Sequence, residues 1–339
     1  MPIADPSRRR SLLGLAAASP LVLAAAPRND GRLDPALAAA EALEPLHAVI
    51  VAQHGEVLAE RRFRGPATDR PANVKSVSKS IIAALVGIAI ERGHLEGTGQ
   101  RIAPLLRDKL PSDPDPRLAQ VTIGHLLAMR AGLERTSGSF YGSWVSSSDW
   151  VRAALGRPFV ADPGGPMLYS TGNTHLLSAI LTRRTGRTTL DLARDWLGNP
   201  LGIRIPPWPR DPQGIYFGGN DMLLSPHALL RFAEMIRQGG RSGGRQVVPE
   251  AWIRASWEPQ APSFFTGDFY GYGWFLRRDQ AHPRFYAWGF GGQMVHVVPT
   301  LGLSIVVTSD PTQRSGGAGG HAAALHRLVE HDIIPALAG

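Results

Sequence analysis

The chain of 339 residues contains no cysteine. Disulfides, thiolate zinc sites, haem attachment, a lipidated cysteine and a cysteine nucleophile are thereby excluded. Lysine is almost as scarce. Of 36 basic residues only Lys75, Lys79 and Lys109 are lysines, and the rest are arginines. There is no internal repeat, and no low-complexity tract beyond the glycine-rich residues 316–320. No Walker or dinucleotide-binding glycine loop occurs. Asp113-Pro114-Asp115-Pro116 lacks the glycine and spacing of a calcium loop. His321, His326 and His331 are five apart, so each is turned about 140° from the last on a helix and they share no face. Neither a metal site nor a cofactor is therefore expected.

What is present describes a globular protein with a sizeable core, since 43% of residues are apolar and 19% charged. The formal charge of +8 is carried by arginines spread along the chain, which argues against a nucleic-acid footprint. Arg8-Arg9-Arg10 precedes an apolar stretch at residues 12–26 that ends in three alanines. This reads as a signal peptide over residues 1–26, and Arg9-Arg10-Ser11-Leu12-Leu13 reads as its twin-arginine form. The stretch is short and interrupted by Pro20, so no stable membrane anchor is expected. The expected location is periplasmic or secreted. The sequence carries no signal of oligomeric state.

Residues 47–63 read as a β-hairpin turning at His54-Gly55. Residues 76–91 form a helix with almost no polar face, as an interior helix requires. Residues 97–219 turn helical and loop-rich, with helices at 122–129, 146–155, 176–185 and 189–197. Ser147 or Ser148 is the expected cap of the second. A further helix covers 227–239. Strand patterns return at 272–277, 285–290, 293–298 and 303–308, and a helix closes the chain at 321–336. The expected fold is α/β in the α+β sense: an antiparallel sheet of N- and C-terminal strands flanked by helices, with an all-helical insertion at 97–219 in a domain of residues 27–339.

Ser76-Val77-Ser78-Lys79 is the central chemical signal. Positions i and i+3 on a helix share a face, so the Ser76 hydroxyl and Lys79 amine can meet. A serine hydroxyl needs a base to become a nucleophile. Lysine can be that base where apolar burial disfavours its ammonium, whereas arginine does not deprotonate in proteins. A chain that uses arginine almost everywhere nevertheless has lysine here. Gly240-Arg241-Ser242-Gly243-Gly244 matches the nucleophile elbow of α/β-hydrolases, but it lies among Arg, Gln and Gly and reads as a solvated turn.

Asn73-Val74-Lys75-Ser76-Val77-Ser78-Lys79-Ser80, with the apolar run through Glu91, resembles the first motif of the serine β-lactamase and penicillin-recognising superfamily. It is most similar to the class C β-lactamase-like esterases and the 6-aminohexanoate-oligomer hydrolases. Ala131-Gly132-Leu133, Pro200-Leu201-Gly202-Ile203, Gly218-Gly219-Asn220-Asp221-Met222, Pro249-Glu250-Ala251-Trp252 and Tyr270-Gly271-Tyr272-Gly273-Trp274 follow in family order. The resemblance spans roughly residues 40–335. It implies a cofactor-free serine hydrolase that acts through an acyl-serine on a small ester or amide. Catalysis would then rest on Ser76, Lys79 and Tyr169.

The second motif of that superfamily, Tyr-x-Asn, corresponds to Tyr169-Ser170-Thr171. A phenol near an ammonium ionises more readily and can serve as general base or acid. Thr171 replaces the asparagine, which weakens the expectation of amide contact there. The third motif, Lys-Thr-Gly, is missing, because no lysine follows Lys109. The matching stretch, Trp288-Gly289-Phe290-Gly291-Gly292, is like that of the esterase branch. The resemblance implies an oxyanion hole from the Ser76 and Phe290 N–H groups, and substrate contact at Thr171, Trp288, Gly289 and Gly291. Trp288 in place of a cation suits a neutral substrate group. Arg277 and Arg284 are the nearest residues in sequence that could restore the charge. The alternatives are a β-lactamase or D-alanyl-D-alanine carboxypeptidase, and, in another class, an exported peptide-binding protein of the same fold without turnover.

Overall fold

The computed structural model describes residues 30–278, 280–314 and 319–339. The expected leader at 1–26 lies outside them. Eight strands make one antiparallel sheet: β1 Leu46–Gln53, β2 Glu56–Arg62, β3 Ala261–Pro262, β4 Phe269–Tyr270, β5 Phe275–Arg277, β6 Arg284–Gly289, β7 Gln293–Val298 and β8 Leu303–Ser309. Their order across the sheet is β2-β1-β8-β7-β6-β5-β4-β3, so the N-terminal hairpin pairs with the last strand. The expected sheet of chain-terminal strands is what forms. The two strands at one side of the sheet, β3 and β4, have no counterpart in the sequence pattern, because two-residue segments are too short to show alternation.

Strand alternation sorts the sheet's side chains onto two layers. Ile50, Ala52, Val295, Val297 and Val306 face the larger core. Val49, Val51, Met294, Val298, Ile305 and Val307 face a second core, which is closed by α1 Asp34–Glu41 and the C-terminal helical run from His321–Arg327 onward. Against the larger core lies α2 Ser78–Glu91, buried from Ser78 through Ala89. Gly87 lets α2 approach Trp252, whose Cγ would stand 2.3 Å from any Cβ at that position. No described residue within 97–219 joins the sheet. The segment contributes helices and isolated bridges.

Three boundaries differ from the pattern reading, each for a physical reason. Ser76 lies in a single helical turn, Lys75–Val77, which leads into α2 rather than belonging to it. The stretch expected as one helix at 146–155 is a helix only from Trp150–Leu155, preceded by Tyr141–Val145. Trp144 and Trp150 lock that reversal, since each indole N–H donates to a backbone carbonyl of the other segment, at 3.0 Å. Asp149, and neither serine, caps the second helix by accepting from the Arg152 N–H. Finally α3, Thr171–Thr185, starts five residues before the expected 176. Its first residues look like a polar loop, but they are buried and hydrogen-bonded to residues 136 and 137.

Candidate active site

Three separate segments meet around Ser76. A two-residue ladder, Ala72–Asn73 with Leu223–Leu224, holds the segment before Ser76 against the segment after Asp221. The Asn73 amide and the Lys75 ammonium both donate to Asp221 Oδ1, at 2.8 and 3.0 Å. Lys75 and Asp221 both have left-handed backbone, with φ of 50° and 61°, a conformation that non-glycine residues adopt at a cost. Two strained residues, ion-paired to each other, thus fix the turn that presents Ser76. From the sheet side, Gly289 at the end of β6 packs against the same turn. A Cβ there would lie 2.6 Å from the Val74 carbonyl oxygen. Only glycine fits so close an approach.

Lys79 Nζ donates to Ser76 Oγ at 3.0 Å and to the Gly219 carbonyl at 2.5 Å, and lies 3.4 Å from Thr171 Oγ1. No carboxylate touches it, and it is 2% exposed. Burial therefore brings its pKa down to about 7, opposed only in part by Asp221. Near neutral pH a large share of Lys79 is the free amine and can accept a proton.

Tyr169, in the loop before α3, lines the cleft together with Ser76 and places its ring 4.9 Å from Lys79 Nζ. Its own burial pushes the phenol up to about 12, against the lowering effect of the Ser76 contact. The expectation of an easily ionised phenol is corrected on this point. Desolvation dominates, so Tyr169 holds its proton near neutral pH and can donate a hydrogen bond. The two shifts run in opposite directions: Lys79 is made readier to accept a proton and Tyr169 to keep one.

A cleft of about 580 Å³ opens over Ser76. Tyr169, Thr171, Trp288, Gly289 and Phe290 line it. Thr171 is tied to Lys79 and, at 2.9 Å, to Ser137 Oγ, so its hydroxyl is shared within the wall of the cleft. Phe290 heads the turn after β6, its side chain 48% exposed. Its N–H donates to no acceptor among the described residues, and Ser76 sits at a helical start, where N–H groups lack intrahelical partners. Both fit the role of oxyanion donors. Gly291 is not a lining residue; with φ of 78° it makes the turn, close to the Asp310 carbonyl.

Arg277 and Arg284 are corrected as candidate substrate cations. Arg277 pairs with Asp268 and Glu330, and the fully buried Arg284 pairs with Glu330, so neither reaches the cleft. Ser242 sits in an exposed two-strand ribbon, Arg241–Ser242 with Arg245–Gln246, in accord with a solvated turn. Sequence reasoning assigned no role to Arg135, Tyr141, Asn220 or Lys75, all of which line the cleft. The lysine count could have flagged Lys75, one of only three.

The beta-lactamase family model matches residues 39–329. The chain belongs to the beta-lactamase family. It is 26% identical over 225 residues to the 6-aminohexanoate-dimer hydrolase of Paenarthrobacter ureafaciens, a match covering 61% of this chain and 56% of that relative. Among solved structures it resembles a hydrolase with promiscuous acyltransferase activity, at a TM-score of 0.71 and 18% identity, covering 88% of this chain and 97% of that one. It also resembles the octameric penicillin-binding protein homologue of Pyrococcus abyssi, at 0.70 and 17%, covering 88% and 76%. At such identities these structures speak for the fold. The family match and the structural likenesses together give this chain the beta-lactamase fold, and the chain spans little more than half the length of the curated relative it matches.

Proposed function

We propose that this beta-lactamase-family hydrolase is an esterase or amidase acting through an acyl-serine intermediate. The observation that carries the reading is the 3.0 Å contact between Ser76 Oγ and a buried Lys79 whose pKa is about 7. Ser76 Oγ attacks the substrate carbonyl while its proton passes to Lys79 Nζ. The Ser76 and Phe290 N–H groups hold the oxyanion. Collapse expels the leaving group, which takes a proton from Tyr169, and Tyr169 is recharged from Lys79. Water then attacks the acyl-serine, giving a proton to neutral Lys79, and that proton returns to Ser76 Oγ as the acid leaves. No metal or cofactor enters these steps.

An ester or simple amide is favoured over a β-lactam by the indole of Trp288 on the cleft wall, where a cation would hold a substrate carboxylate. Losing a charge-assisted contact costs about 1.5–3 kcal/mol, or roughly ten- to a hundredfold in rate. The test compares kcat/KM for a short-chain nitrophenyl ester and a chromogenic cephalosporin, with peptide mapping of a fluorophosphonate adduct. The ester should win by that margin, and label should appear on Ser76 and vanish in Ser76→Ala. A winning cephalosporin would replace this reading with the antibiotic-hydrolase one. A stable adduct without turnover would favour the peptide-binding alternative.

A further inference from the structure

The cleft contains a cation with nothing to bind. Among the described residues, eight arginines are buried or partly buried. Seven have evident partners. Arg117, Arg157, Arg237, Arg277 and Arg284 pair with carboxylates. Arg130 and Arg231 donate to backbone carbonyls. Arg135 alone makes no hydrogen bond, no ion pair and no stacking contact with an aromatic ring, and it lines the cleft over Ser76. Arg135 is partly buried in the cleft wall, and the five donors of a guanidinium are ordinarily paired.

Its surroundings do not supply an anion. The lining of the cleft includes no aspartate or glutamate. The adjacent carboxylate, Glu134, is taken by Arg157, and the other cation of the lining, Lys75, is taken by Asp221. The backbone that carries Arg135 is fixed on both sides. The Glu134 N–H donates to the Pro158 carbonyl at 2.8 Å. The Thr136 N–H donates to Ser170 Oγ at 3.0 Å, and Ser137 Oγ accepts from the Thr171 N–H at 2.9 Å. Arg135 is therefore held by the same α3 start that bears Thr171, two residues from Tyr169. It stands on the helical wall of the cleft, whereas Trp288 and Phe290 come from the sheet.

We propose that Arg135 binds a carboxylate carried by the substrate at a distance from the scissile carbonyl, so that the substrate class is the monoanionic half-ester or half-amide. This rests on the hydrolase reading above and extends it. The cleft would take a substrate whose apolar part lies along Trp288, Phe275 and Phe265 and whose anion meets the planar fork of Arg135. Such bidentate recognition is a property of arginine rather than lysine.

The probes are matched pairs of aryl esters, the first pair being nitrophenyl esters. Butyrate is set against the mono-ester of adipate, which places the anion on the acyl side. Phenyl acetate is set against 4-acetoxybenzoate, which places it on the leaving side. In at least one pair the wild type should prefer the anionic member. In Arg135→Gln the anionic-to-neutral ratio of kcat/KM should fall about ten- to a hundredfold, the range for a lost charge-assisted contact. The loss should appear in KM, as removal of uniform binding does. Arg135→Lys should recover only part of it. No anionic preference in either pair, or equal loss on neutral and anionic members, overturns the proposal. Turnover of neutral esters through Ser76 without such a preference would sink the anion site and leave the hydrolase standing. If neither pair is turned over, the hydrolase reading fails, and calorimetric titration of glutarate into wild type and Arg135→Gln decides the anion site alone. Equal or absent heats in both proteins overturn it.

Discussion

Among the described residues two long cationic side chains, Lys79 and Arg284, lie in the interior, and burial has a different outcome for each. Lys79, 2% exposed, is surrounded by neutral oxygens from Ser76, Gly219 and Thr171. Without a carboxylate in contact, desolvation can be relieved by giving up the proton, and its pKa comes down to about 7. Arg284 is wholly buried on β6, with its Nε and Nη1 lacking partners. Burial lowers its pKa too, but guanidinium holds its proton at any ordinary pH, so it depends on Glu330. Residue type therefore decides whether burial yields a base or a structural ion pair. In a chain with so little lysine, the one fully buried lysine lies beside a serine hydroxyl.

The comparison breaks most sharply if the two residue types are exchanged at the reactive position. Lys79→Arg should be as inactive as Lys79→Ala, because charge and approximate length return without a proton acceptor. Turnover should fall by roughly 10² to 10⁴, the range for a positioned general base. Steady-state kinetics on a nitrophenyl ester, with circular dichroism to verify folding, measures this. Near-normal turnover in Lys79→Arg would make Lys79 an electrostatic partner only.

Arg284 should show the reverse profile. Arg284→Met leaves Glu330 with Arg277 as its remaining ion-pair partner, 3.0 Å away. Removing one member of a buried pair costs about 3 kcal/mol or more of stability. Because Arg284 does not line the cleft, kcat/KM of the folded variant should stay within a few-fold of wild type. Urea unfolding alongside the ester assay separates the two effects. A large kinetic loss at full stability would place Arg284 in the reactive machinery and dissolve the contrast.

The two regions also differ in how far the sequence revealed them. The sheet and α2 were legible because they are periodic and apolar, and Ser76 and Lys79 because they share one helical turn. Contacts between distant segments leave no such trace. The Gly219 carbonyl that holds Lys79 lies 140 residues away, and Asp221 lies 146 residues from Lys75. Arg135 looked like any of the many arginines until the fold showed it unpartnered. The neutrality of Tyr169 was misread for a related reason. Nearness to an amine can be inferred from a motif, but desolvation of the phenol cannot, and desolvation decides that pKa. Arg284 and Arg277 were misassigned because sequence proximity to Trp288 does not show that their guanidinium groups are held by Glu330 and Asp268.

The smallest expected effect tests the cause of the Lys79 shift rather than the identity of the base. If neutral Lys79 is the reactive form, kcat/KM for an ester without ionisable groups should rise with pH through about 7 and then level off. Below that point it should drop about tenfold per pH unit, since each unit removes nine-tenths of the remaining free amine. Asp221 is the one carboxylate opposing the shift, and it also neutralises Lys75. Asp221→Asn removes the group that favours the Lys79 ammonium and leaves the Lys75 charge uncompensated nearby. Both changes disfavour the ammonium further, so the acid limb should move to lower pH while keeping its slope. A profile from pH 5 to 9 on both proteins measures the displacement. Movement to higher pH would mean that Asp221 does not act on Lys79 by charge. A wild-type limb centred in the carboxylate range would assign the titrating group to an acid instead.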